Sequence, residues 1–174
     1  MDSKLAIALI SVSVGWILSQ ATEVIKSHSK KRKLKKALFI EFTDLARGTE
    51  IVLELCHDFR DNSNGDKVRG VEVPQPIKTL VFDNYYHEIY AEFSEIERLS
   101  IKLIYGHVAN FNDLLNKISQ ENLKYVFIDI YSATLWLQAS INQYKLSSAI
   151  LISEDTKEVE RVNCAVQKFA NELR

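Results

Sequence analysis

The sequence predicts an all-α protein, an N-terminal transmembrane helix continuing into a bundle of four to five helices. Three observations carry this. Five Gly and two Pro in 174 residues are too few for the turns of a sandwich or barrel. From Leu5 to Thr22 the chain holds 18 consecutive uncharged residues, LAIALISVSVGWILSQAT, with a Lys/Arg run close behind. Beyond that run, apolar side chains recur at helical spacing almost to the end of the chain. The length fits one compact domain with one appendage.

Charge divides the chain in the same place. Residues Met1 to Lys36 hold eight basic side chains against Asp2 and Glu23, about +6, whereas Ala37 to Arg174 hold 14 basic and 21 acidic ones, about −7. The predicted organisation is an anchor with its basic juxtamembrane segment over 1–36 and a cytoplasmic helical bundle over 37–174. The total of −1 gives no broad basic surface, so nucleic acid is not an expected partner.

The uncharged run makes a helix of about 27 Å, enough to cross a hydrocarbon core of about 30 Å once Val24 and Ile25 add a turn, giving a span of about residues 5–25. Lys4 and Lys26 can snorkel to the two interfaces. Ser19 and Ala21 imitate a signal-peptidase site, but Lys4 is offset by Asp2 and a basic cluster directly after the apolar run opposes export. A buried core helix would not run into lysines without a turn signal, and an amphipathic surface helix needs charges that this run lacks. The seven cations Lys26, Lys30, Lys31, Arg32, Lys33, Lys35 and Lys36 predict a single pass through an inner, cytoplasmic membrane. They place the N terminus outside and the body inside, and they contact lipid headgroups. Next to an apolar span, that reading outweighs a nuclear-localisation patch. Ser11, Gly15 and Ser19 recur every four residues, a small-residue face suited to packing of one transmembrane helix against another.

In the body, Leu38, Phe42, Leu45, Thr49, Val52, Cys56 and Phe59 alternate four and three apart, the seam of a helix from Leu34 to Arg60. No Gly or Pro parts it from the anchor, so the two should form one nearly continuous rod, with Glu41, Asp44, Glu50 and Glu54 outside the seam. Asp61 to Pro76 gathers both Pro and two Gly into a long loop. A ladder of Ile77, Val81, Tyr85, Ile89 and Phe93 follows. Ser94 with Glu97 forms a capping box that opens a helix carrying Ile96, Leu99, Leu103, Phe111, Leu114 and Ile118. Asn122 to Leu146 is apolar nearly all round and should be the central helix; Asp129, Gln138, Asn142 and Gln143 argue against a second span. A last helix from about Asp155, capped with Glu158, turns Val159, Val162, Val166, Phe169 and Leu173 inward.

Chemical constellations are scarce. Cys56 and Cys164 both read as small core residues. His28, His57, His87 and His107 show no metal-ligand spacing, and Asp83 with His87 reads as an ordinary surface pair. No glycine-rich phosphate loop or nucleophile elbow is present, and the aromatic stretch Phe82 to Phe93 sits among acids, which favours core packing over base stacking. No catalytic residue, cofactor, metal or small-molecule substrate is expected, and the chain does not read as an enzyme.

An uncharged N-terminal span, a Lys/Arg run, a helix opening KKALFIEFTDL and a later helix with KLIYGHVANFNDLL together resemble small membrane-anchored all-helical proteins of bacteria and their prophages. Some of these accompany phage defence or superinfection exclusion. The resemblance implies a bacterial or phage origin and a regulatory or effector role, and transfers no functional residue. The leading expectation is a membrane-tethered interaction module that binds a protein partner or self-associates. The alternative is a membrane-perturbing effector that oligomerises through its transmembrane helix.

Overall fold

The computed structural model describes residues 3–63, 72–119, 121–146 and 156–173, with side chains from Ser11 onward except that of Leu146. The described chain is all helical. α1 runs Ser3–Asn62, α2 Leu80–Ile89 with a 3-10 turn over Tyr90–Glu92, α3 Glu95–Leu115, α4 Leu123–Leu146 and α5 Thr156–Glu172. At 1.5 Å per residue α1 is a rod of about 90 Å. Its continuity from the N-terminal apolar run into the body follows from the absence of any breaker.

The predicted seam of α1 is the core stripe: Leu38, Phe42, Leu45, Thr49, Val52, Cys56 and Phe59 are all buried. Thr49 fits there because its Oγ1 donates to the Ala46 carbonyl at 2.6 Å, leaving no unpaired hydroxyl in an apolar setting. Two core clusters share the rod. Towards the N terminus, Leu38, Phe42 and Leu45 meet Ile101, Ile104 and Tyr105 of α3 and Leu137, Ile141 and Tyr144 of α4. Further along, Val52, Cys56 and Phe59 meet Phe111 of α3, Phe127 and Ile130 of α4, and Val162 and Phe169 of α5. The order of these pairings makes α3 parallel to α1 and α4 antiparallel to both. α4 touches α1, α3 and α5, the central place expected of a helix with apolar residues on most of its circumference. In the second cluster Phe59 stacks on Phe127 with centroids 4.0 Å apart, and Tyr131 stacks on Phe169 at 4.1 Å.

Local signals set several boundaries. Ser94 caps α3 with the predicted box: its backbone N–H donates to Glu97 Oε2 at 2.7 Å, and the Glu97 N–H donates back to Ser94 Oγ at 3.3 Å. The helix expected from Ile77 starts only at Leu80, because Ile77 is held elsewhere. Asn112 of α3 accepts from the Ile77 N–H and donates to its carbonyl, both at 2.9 Å, a two-bond clamp on an extended segment. At the other end of α1, Arg60 reaches Glu172 of α5 at 2.9 Å.

Four expectations are corrected or bounded. Ile96 and Leu99, expected on the core face of α3, are exposed, and Ile101, Ile104, Tyr105 and Val108 are buried there instead. Cys164 is exposed, on the face of α5 away from Val162 and Phe169, and only Cys56 is a core residue. Glu41, expected outside the seam, is buried, whereas Asp44, Glu50 and Glu54 are exposed as expected. Among the described residues no helix is long and apolar enough to cross a membrane. The part of the expected 5–25 span whose side chains are described, Ser11 to Ile25, is about 22 Å of helix, short of a hydrocarbon core of about 30 Å. The side chains of Leu5 to Ile10, the middle of the 61–76 loop (64–71), and Asp155 with its capping role lie outside the described residues.

Candidate functional site

Among the described residues nothing covers the N-terminal part of α1. Every residue from Ser11 to Lys30 is exposed, and the large apolar side chains are among them, with Trp16 65% and Ile25 69% exposed. Packing starts at Lys31 and Leu34, so this end of the rod projects from the bundle. The polar Thr22 within it is satisfied internally, its Oγ1 donating to the Leu18 carbonyl at 2.8 Å. Ser11, Gly15 and Ser19 lie on one face of this projection, and a Cβ on Gly15 would meet nothing within 4 Å. A neighbouring helix could therefore approach closely at Gly15.

The seven cations behind the apolar run do not act alike. Helical periodicity turns Lys30, Lys31 and Lys35 toward α2 and the 3-10 turn. There Lys30 Nζ meets Glu88 at 2.5 Å and Lys31 Nζ meets Glu92 at 2.9 Å. Lys35 Nζ donates to the Glu92 carbonyl at 3.3 Å and sits 4.4 Å from the centre of the Phe93 ring. The hydrogen bond and charge of Lys31 hold the Glu92 carboxyl below the usual carboxylate range. Exposed pairs of this kind contribute about 0–1 kcal/mol each, so the clasp orients the rod more than it stabilises the fold. Lys26, Arg32, Lys33 and Lys36 are exposed and make no ion pair among the described residues.

A second polar node, absent from the sequence reading, lies just inside the clasp. The buried Glu41 carboxylate accepts from the backbone N–H of Val81 at 2.7 Å and of Phe82 at 3.2 Å, and from the Tyr105 hydroxyl. It caps α2 from another helix. Thr79, the residue before α2, spends its own hydroxyl on Asp83 at 2.6 Å and makes no cap bond. Burial, and then the Glu41 carboxylate, push the Tyr105 hydroxyl pKa upward. Phe82 stacks on Tyr105 at 3.7 Å, so α1, α2 and α3 meet at this point. The local hint was slight: a helix start whose own preceding residue is a poor cap.

Beside Glu41, Ile40, Leu45, Gly48, Ile77, Leu80 and Val81 line an apolar groove of about 410 Å³. His87 and Asp83 are both exposed, and the Asp83 bond goes to Thr79. Burial lowers the His107 pKa, and among the described residues neither its Nε2 nor His57 Nδ1 has a hydrogen-bond partner. His57 packs edge-on to Tyr131 and Phe169, a core aromatic role. No group of three or more His, Cys, Asp or Glu among the described residues could hold a metal ion. No protein-family model, curated protein or solved structure matches this chain.

Proposed function

We propose that the protein is a membrane-tethered helical interaction module, held by the N-terminal part of α1 with its bundle on the cytoplasmic side. The supporting observation is the division of α1. Its outer half exposes large apolar side chains that nothing in the described chain covers, while its inner half supplies the core stripe of a packed domain. An exposed apolar surface of that extent is unfavourable in water, and an 18-residue uncharged run between Lys4 and Glu23, followed by a lysine-rich stretch from Lys26, suits a bilayer. The cations behind it favour the side that keeps the bundle in the cytoplasm.

The mechanism is localisation. A rod fixed in the bilayer holds the bundle near the surface, and any protein bound to the bundle gains effective concentration there. The acidic outer faces of the body and the 61–76 loop are the proposed sources of specificity toward a protein partner or a second copy. The resemblance to anchored helical proteins of bacteria and prophages is what suggests a role for such a module in a defence or exclusion system. A reporter fused after Arg174 tests the orientation: cytoplasmic behaviour is expected. Neutralising Lys30, Lys31, Arg32 and Lys33 should weaken it, and a periplasmic reporter on the parent chain would overturn the reading.

A further inference from the structure

We propose that a second copy of this chain docks along α1 in the parallel sense, through Ala37, Ile40, Asp44, Arg47, Gly48 and Ile51. The pairing rests on the tether proposed above and names its partner and surface. Ile40 and Ile51 are each 54% exposed, and Leu80, across the groove beside Glu41, is 66% exposed. Nothing among the described residues covers this apolar patch. Asp44 and Arg47, between the two isoleucines, are exposed and make no ion pair among the described residues.

The face is its own complement. Three residues turn a helix by about 60° short of a full circle, so Ala37 with Ile40, Asp44 with Arg47 and Gly48 with Ile51 are three pairs that straddle one line along the rod. One flank is hollow: Ala37, Asp44 and Gly48 line the groove of about 410 Å³, and a Cβ on Gly48 would meet nothing within 4 Å. The other flank projects, with Ile40, Arg47 and Ile51. A two-fold axis parallel to α1 sets the hollow flank of each copy against the projecting flank of the other. Ile40 then faces Ala37, Ile51 faces Gly48 and Arg47 faces Asp44, each pair formed twice and offset by about 4.5 Å along the axis, within side-chain reach. An antiparallel pair would set hollow against hollow and projection against projection. Shape and charge therefore both select the parallel sense.

Two rods anchored in one bilayer are already parallel. The strip from Ala37 to Ile51 is about 21 Å long and about 10 Å wide, on the order of 200 Å² per copy, against about 800 Å² for a dimer free in water. Confinement to the membrane supplies the effective concentration that so small a contact needs. Lys33, one turn before Ala37 on the same line, has a stem long enough to carry its charge aside.

The test is oxidant-induced disulfide formation in isolated membranes from cells expressing the full chain, with Cys164→Ser as background and either Ile40→Cys or Ile51→Cys added. The parent chain, whose exposed Cys164 lies on α5, measures random collision. Each variant should crosslink with its own kind at least about tenfold faster than the parent. When the two variants are co-expressed with different tags, 40-to-51 products should be a small minority, because these positions are about 16 Å apart along the axis. In the Ile51→Cys chain, Asp44→Arg or Arg47→Asp alone should slow crosslinking about five- to tenfold, and the two together should restore it to within about twofold. Gly48→Leu should slow it about tenfold while the helical circular-dichroism spectrum is kept, since the space at Gly48 is open in one copy.

Carbonate-resistant chain that crosslinks at 40 and 51 no faster than the parent overturns the pairing and leaves the tether standing. Predominant 40-to-51 products overturn the parallel sense, and a charge-swapped chain that stays at the single-variant level overturns the face. Adducts with a protein of another size in place of the self-product overturn the second copy as occupant. Chain released by carbonate overturns the tether, and the pairing with it.

Discussion

Glu41→Ala tests whether one carboxylate joins three helices. The substitution removes the acceptor for two backbone donors at the start of α2, at 2.7 and 3.2 Å, and for the Tyr105 hydroxyl. Hydrogen bonds to a charged group contribute about 1.5–3 kcal/mol each when buried, but the groove beside Glu41 admits water to the freed N–H groups. A net loss of about 2–4 kcal/mol is therefore expected. That loss falls first on α2, which is short, lacks a cap of its own and packs mainly on α1. Amide hydrogen exchange on the full chain in mild detergent should show opening of α2 raised by about 30- to 1,000-fold, with α4 much less affected. A double-mutant cycle with Tyr105→Phe should give a coupling of about 1–2 kcal/mol. Exchange of the Val81 and Phe82 amides within about threefold of the parent, or strict additivity in the cycle, would refute the reasoning.

Three further outcomes follow from the packing. Phe127→Ala removes a ring stacked on Phe59 in the second core cluster and should cost about 3–5 kcal/mol in urea unfolding; a cost below about 1 kcal/mol would mean that the stack is not core. In the native protein a maleimide reagent should label Cys164 promptly and Cys56 only after unfolding, because burial shields the Cys56 thiol and pushes its pKa up to about 12. Stability should be complete below about pH 9 and fall between about 9 and 12. Burial raises the native pKa of Cys56, Tyr86 and Tyr144 to about 12 and also raises that of Tyr105, so across this window the unfolded chain has released protons that the folded chain still holds. A melting temperature unchanged from pH 8 to 11 would contradict this.

What could be read from the sequence was whatever is encoded locally. The α1 seam follows from four-and-three spacing, and the α3 cap from two residues three apart. The continuity of the rod follows from an absence of breakers. Contacts made across the fold were not legible. The cap on α2 comes from Glu41, about forty positions earlier, and the late start of α2 comes from Asn112 gripping Ile77. Cys164 was misplaced despite an available signal: two positions from Val162 is about 200° around a helix, the far side of the stripe. The cations were visible as a cluster, but their division needed the position of Glu88 and Glu92, which only the docking of α2 supplies.

Alkaline carbonate extraction of membranes from cells expressing either the full chain or residues 30–174 tests the tether most directly. The shorter chain keeps the whole core stripe from Leu38 and the clasp lysines Lys30, Lys31 and Lys35. The full chain should remain in the membrane pellet after carbonate, and residues 30–174 should appear in the supernatant with a helical circular-dichroism spectrum. Full chain released by carbonate, or a shorter chain that is unfolded, would contradict the assignment of the outer half of α1 to the bilayer and the inner half to the domain.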